Sequence, residues 1–274
     1  MPHLTVNRAD LHYEEHGTGP EAIVFAHGLL WSGRMFEAQV AALRDRYRCV
    51  TFDFRGQGQS AVTRDGYDMD TLAEDAAALI RALHGAPCHF VGLSMGGFIG
   101  MRLAIRQPEL LRSLLLLGTS ADPEPPENVP RYRGLNLVAR WLGLRVVAGK
   151  VMKILYGRKF LADPERAELR AACLRALVAN HRVGITRAVT GVITREGVYD
   201  SLDRIRVPTL LLVGDQDVAT VPAKSQRLHE RIAGSVLRIL PGAGHSATIE
   251  EPEAVNEAMA EFLAGLRGSA GGRS

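Results

Sequence analysis

The chain has 274 residues, 46% of them hydrophobic, and a formal net charge of +3. That is ample apolar material for a large interior, yet no apolar run approaches the roughly 20 residues of a membrane-spanning helix. So nearly balanced a charge also gives no reason to expect a nucleic-acid partner.

Taken in chain order, LTVNR and LHYEEHG alternate apolar and polar residues and predict an antiparallel hairpin at one sheet edge. AIVFA (22–26) and CVTFD (49–53) are short β-rich runs, and CHFVGL (88–93) is apolar enough for a buried strand. SLLLLGT (113–119) and TLLLVGD (209–215) are continuous apolar runs bounded by polar turns, as expected when helices cover both faces of a parallel sheet. Helical spacing separates these runs over 35–43, 69–83, 97–107, 223–232 and 253–263. Strand and helix repeated in this way predict a mostly parallel, doubly wound α/β sheet.

The alternation breaks at SADPEPPENVP, which holds four prolines. From 121 to 200 there are fourteen Arg or Lys against eight Asp or Glu, and from 128 to 162 eight basic residues and no acidic one. The segment is predicted to be mostly helical, with Asp163–Pro164 as an N-cap and first-turn pair. The expected organisation is a core of 1–120 and 201–267 with a helical cap, 121–200, inserted after the sixth strand. Such a cap should lie over the C-terminal strand ends, where α/β sheets bind ligands. GSAGGRS, from Gly268, reads as a flexible tail.

The N-terminus MPHLTVNRAD lacks a positive end followed by an apolar segment, so no secretory signal is expected. Three cysteines (Cys49, Cys88, Cys173) are an odd number without zinc spacing. They read as small core residues in a reducing, cytoplasmic setting.

The stretch CHFVGLSMGGFIG places Ser94 where a strand gives way to helical spacing. A sharp turn there needs small neighbours, because a Cβ at Gly92 or Gly96 would collide across the bend. Gly92-Leu93-Ser94-Met95-Gly96 is the G-x-S-x-G pattern of a nucleophile elbow. A serine hydroxyl needs a base to take its proton, and that base needs an acid to fix its tautomer. His245, in LPGAGHSATIEEP, follows the run SVLRIL and precedes the last helix. Of the acids in LLLVGDQDVATVP, Asp217 is preferred, because Asp215 sits directly on the strand end, a structural position. Asp122 is a weaker candidate within the proline-rich stretch. The developing oxyanion needs donors, for which the N–H of Met95, opening a helix, and that of Leu29, after the glycine turn at Gly28, are placed.

HGLLWSG, FDFRGQGQS, GLSMGG, VGDQD and PGAGH, in this order, resemble the α/β-hydrolase superfamily over nearly the whole chain. The resemblance implies an α/β-hydrolase fold with Ser94 as nucleophile, Asp217 as acid, His245 as base, and Leu29 with Met95 as oxyanion donors. Asp53 to Ser60 is similar to the family's structural turn. Within the superfamily the chain looks most like small esterases, cofactor-free perhydrolases and 3-oxoadipate enol-lactonases. A serine hydrolase of carboxylic esters or lactones, with no metal or organic cofactor, is therefore expected. A non-catalytic binding protein on the same fold is the alternative of another class, disfavoured because all three triad members are present.

Other residues have plainer readings. His27 reads as a hydrogen-bonding residue of its turn, and His181 as a solvated helix residue. Trp31, Met95 and Trp141 are the candidates to line a pocket. The basic, apolar segment reads as a lid over that pocket with its arginines in water, and a resting place on anionic lipid is the second reading.

Overall fold

A computed structural model describes residues 2–270. The strands are β1 (His3–Val6), β2 (Ala9–His16), β3 (Ala22–Ala26), β4 (Arg48–Phe52), β5 (Cys88–Leu93), β6 (Leu111–Leu117), β7 (Thr209–Gly214) and β8 (Val236–Leu240). They form one sheet in the order β1-β2-β4-β3-β5-β6-β7-β8. β1 and β2 pair antiparallel, as does β2 with β4, and every other pairing is parallel. This is the expected doubly wound sheet with an antiparallel N-terminal edge.

Register fixes where the site must lie. Ala26 pairs with Phe52 on one side and Gly92 on the other, and Leu93 pairs with Leu117. These strands therefore end level, and the residues after them share one edge of the sheet. The strand order reverses around β3 and β5, which opens a crevice at that edge.

Helices α1 (Glu37–Leu43), α2 (Met69–Ala82) and α3 (Met95–Arg106) join the early strands. Five helices then separate β6 from β7: α4 (Val129–Leu142), α5 (Leu144–Leu155), α6 (Arg158–Ala162), α7 (Ala167–Ala179) and α8 (Arg182–Ile193). The chain closes with α9 (Pro222–Arg231), α10 (Ala247–Glu250) and α11 (Pro252–Ala270). The tail expected from Gly268 lies mostly outside the described residues, although the α11 backbone continues through Ala270.

The strand period of two divides the core into two layers. Val24, Ala26, Val50, Phe52, Phe90, Leu114 and Leu116 pack with buried side chains of α2 and α3. The intervening Ile23, Phe25, Cys49, Val91, Leu93, Leu115 and Leu117 pack with α1 and α11 on the opposite face. Strands buried on both faces have no polar alternation, which is why they read as continuous apolar runs.

The inserted helices carry their own apolar clusters. α4 and α5 meet at Gly143, whose φ of +94° suits glycine. The Asp163 side chain accepts the Glu165 N–H at 2.9 Å and caps the turn before α7. His181, expected to be a solvated helix residue, is exposed but caps α8, its ring nitrogen accepting the Gly184 N–H. Hydrogen bonds fasten the insertion to the core, with the Ser246 backbone N–H donating to Leu155 O at 2.9 Å and the Asn180 side-chain amide donating to Leu30 O at 3.0 Å.

Candidate active site

Ser94 stands between β5 and α3 with φ 52° and ψ −109°. A left-handed conformation at a side-chain-bearing residue costs of order 1–3 kcal/mol, so the surroundings must hold it. They do so through its backbone. The Ser94 N–H donates to Leu117 O at 2.9 Å, and its carbonyl accepts from the Gly97 and Phe98 N–H groups and the Thr119 hydroxyl. The glycines beside it are required sterically: a Cβ on Gly92 would strike Gly96 O, and one on Gly96 would strike Ala26 O. The side chain is held on a tight bend at the sheet's carboxyl edge.

Asp217 follows β7 and His245 follows β8, and both are buried. His245 Nδ1 lies 2.8 Å from Asp217 Oδ2. The other carboxylate oxygen accepts the Ala219 and Thr220 N–H groups, each at 2.8 Å, while the Thr220 hydroxyl donates to Oδ2 at 2.7 Å. Burial opposes ionisation of Asp217, but the His245 charge and these hydrogen bonds outweigh it and hold the carboxyl below its usual range. Burial likewise disfavours the imidazolium of His245, and the Asp217 charge and hydrogen bond reverse this, raising the imidazole above its usual range. Asp215 is turned elsewhere, accepting the Gly242 N–H at 2.8 Å. Asp122 pairs with Arg227 at 3.2 Å.

The turn after β3 is set by His27. Its Nε2 accepts the Phe54 N–H at 3.0 Å, so Nδ1 carries the proton and donates to Gly28 O at 2.7 Å. The N–H groups on either side of Leu29 are engaged, that of Gly28 with the Met35 sulfur and that of Leu30 with Gln57 Oε1. Met95 is the first residue of α3, so its N–H finds no carbonyl within the helix. The Gln57 amide also reaches the Met95 sulfur at 3.9 Å and so links the two segments.

Ser94, His245 and Leu29 line one cavity of about 160 Å³. Its walls are mostly aliphatic, with Leu135, Ala139, Leu144, Val147, Val151 and Ile185 from the inserted helices. Arg195 and Glu124 also line it, and they neutralise each other at 2.9 Å. The pocket assignments of Trp31 and Trp141 are corrected by the structure. On α4 the cavity face is Tyr132, Leu135, Asn136 and Ala139, and Trp141, about 200° past Ala139 around the helix, points into solvent with 71% of its surface exposed. Trp31 packs instead between the core and the insertion, edge-on to Tyr156. Met95 is buried in the core rather than at the cavity wall.

Residues 23–258 match the model of the Alpha/beta hydrolase family. The chain belongs to this family. It is 30% identical over 258 residues to 3-oxoadipate enol-lactonase 2 of Acinetobacter baylyi, covering 93% of this chain and 94% of that one. It is 29% identical over 261 residues to the putative carbamate hydrolase RutD of Caulobacter sp. strain K31, covering 93% and 96%. A thermophilic esterase from Thermogutta terrifontis superposes with a TM-score of 0.90 at 27% identity, covering 97% and 99%. This kinship supports a hydrolase.

Three side chains of the candidate site escape sequence reasoning. Thr220 shares both Asp217 and His245, its hydroxyl lying 3.2 Å from His245 Nδ1. Its only signal is a position three residues past an aspartate, where a hydroxyl can close a local turn. Glu250 accepts the N–H groups on both sides of His245, those of Gly244 and Ser246, each at 3.0 Å. Gln57 lies within a turn that reads as structural and gives no separate signal. Among the described residues, no cluster of three His, Cys, Asp or Glu side chains is arranged to hold a metal ion.

Proposed function

We propose that this protein cleaves carboxylic esters through an acyl-enzyme formed on Ser94. The observation that carries the reading is the buried Asp217–His245 pair, 2.8 Å apart, whose histidine lines the same cavity as a serine held on a strand-to-helix bend. Ser94 Oγ attacks the ester carbonyl as His245 Nε2 takes its proton, with Asp217 holding the Nδ1–H. The tetrahedral oxyanion accepts the Leu29 and Met95 N–H groups. Collapse breaks the acyl–oxygen bond, and His245 returns the proton to the departing alkoxide. Water then attacks the acyl-enzyme, giving up a proton to His245, and the carboxylic acid leaves as Ser94 is reprotonated. Another nucleophile such as hydrogen peroxide in place of water would yield a peracid by the same steps.

The aliphatic wall contributed by the helices between β6 and β7 suits an apolar acyl chain, and this insertion acts as a cap. A lactone is the second reading, favoured by the likeness to 3-oxoadipate enol-lactonase 2. Ring opening follows the same steps, with the alcohol retained in the product. The three buried, free thiols suit a cytoplasmic setting.

The test is hydrolysis of p-nitrophenyl esters from acetate to palmitate, with an enol-lactone alongside, by wild type and Ser94→Ala. Activity on esters that vanishes in the variant supports the reading, and a preference for the lactone moves the substrate to the cyclic class. Equal rates for wild type and variant would end it.

A further inference from the structure

The outward side of α4 and α5 is apolar and basic at once. Leu137, Trp141, Leu142 and Val146 expose 61%, 71%, 68% and 61% of their surfaces. They fall within ten residues around the α4–α5 corner, with Leu137 and Trp141 one helical turn apart. Among the described residues nothing covers this side: a Cβ built on Gly134, Gly143 or Gly149 meets no atom within 4 Å. The same side carries Arg133, Arg145, Lys150 and Lys153, all exposed, and Arg140, whose guanidinium lies 5.9 Å from the Trp141 ring centre. No acid occurs between 128 and 162. The neighbouring core acids, Asp65 and Asp68, stand in a groove with Arg64 and Arg187 as well as Arg133 and Arg140, so basic charge prevails there too.

We propose that this corner docks the protein onto an anionic lipid surface, Trp141, Leu142 and Val146 entering the interface while the surrounding arginines and lysines meet the headgroups. The arrangement has the three requirements of an interfacial contact: exposed aromatic and aliphatic tips, a basic surround, and helices whose other face is already occupied. That inner face is Leu135, Ala139, Leu144, Val147 and Val151, which line the cavity. No described helix is long and apolar enough to cross a membrane, so the contact is peripheral. A second copy is a poorer occupant, because a symmetric dimer would set this basic patch against itself. The proposal is independent of the catalytic reading, and Ser94→Ala serves equally well in its test.

The test is co-sedimentation of the full chain with vesicles of phosphatidylcholine alone and of phosphatidylcholine with phosphatidylserine in equal parts. Binding to the anionic vesicles, falling with added salt and accompanied by a blue shift of Trp141 emission, is expected. Trp141→Ser and the pair Arg140→Glu with Arg145→Glu should each weaken it at least about tenfold while leaving the melting temperature and hydrolysis of soluble esters unchanged. The proposal is overturned by absence of binding, by equal binding to neutral vesicles, or by variants that bind like wild type. Concentration-dependent dimerisation lost in Trp141→Ser, without vesicle binding, would assign the patch to a second copy and overturn it as well.

Discussion

The Glu250 carboxylate accepts the Gly157 N–H at 2.8 Å and so joins the loop carrying His245 to the α5–α6 junction of the inserted helices. With the Gly244 and Ser246 N–H groups on the same carboxylate, one buried side chain holds both flanks of the histidine and the root of the insertion. Burial pushes its pKa up to about 7, against the pull of these three donors. An acid raised in the folded state contributes stability that is present below its ordinary 4.5 and lost as pH rises through about 7. Glu250→Gln cannot ionise, and its amide sets a donor against a donor, costing about 1–3 kcal/mol. The melting temperature of wild type should exceed that of the variant most at acid pH, with the gap narrowing between pH 4.5 and 7. A constant gap would show that Glu250 does not titrate there.

Asp217 holds the imidazole of His245 above its usual 6.5. On the proposed mechanism the base must be neutral, so kcat/KM should fall with acid along a limb centred above that value. Asp217→Asn removes the charge and the favoured tautomer. Its expected effect is a loss of kcat of about 10⁴-fold, with the limb moved to lower pH. A pH–rate profile of the residual activity decides this, and a limb that stays in place would separate the aspartate from the titration.

What the chain disclosed in advance was local. The apolar strands between turns, the glycines around Ser94 and the order of Ser94, Asp217 and His245 all lie in short windows whose physics needs no distant partner. Trp141 misled because the face of an isolated helix is knowable only once its neighbour is placed. Tyr132, Leu135 and Ala139 look inward, and a tryptophan two residues further on does not. Glu250 looks like either member of an ordinary Glu-Glu pair in ATIEEP, since its partner Gly157 is 93 residues away. Thr220 was hidden because its second partner, His245, sits on another strand end.

The bend at Ser94 can be tested without chemistry. Gly96→Ala would drive a methyl into Ala26 O, a backbone atom at the end of the central strand β3, which is held by parallel pairing on both sides. A loss of several kcal/mol or failure to fold is expected. Gly134→Ala is the control, because that helical position on α4 faces open space and should gain about 0.5–1 kcal/mol. Urea midpoints compared at unchanged m report both signs. A Gly96→Ala protein as stable as wild type would mean that the turn is looser than it looks.

The aliphatic wall under the inserted helices predicts a graded response to acyl length. Each methylene buried against it is worth about 0.8 kcal/mol, so kcat/KM should rise about fourfold per carbon until the chain meets the end of the cavity. Val151→Phe fills space and should move the optimum to shorter esters, and Leu144→Ala should move it to longer ones, since both side chains line the cavity. The optimum should move in opposite directions while p-nitrophenyl acetate, whose acyl group carries a single methyl, is cleaved at similar rates by all three proteins. If acetate hydrolysis falls as far as that of the longer esters, the substitutions have disturbed the site itself, and the wall is not what measures the chain.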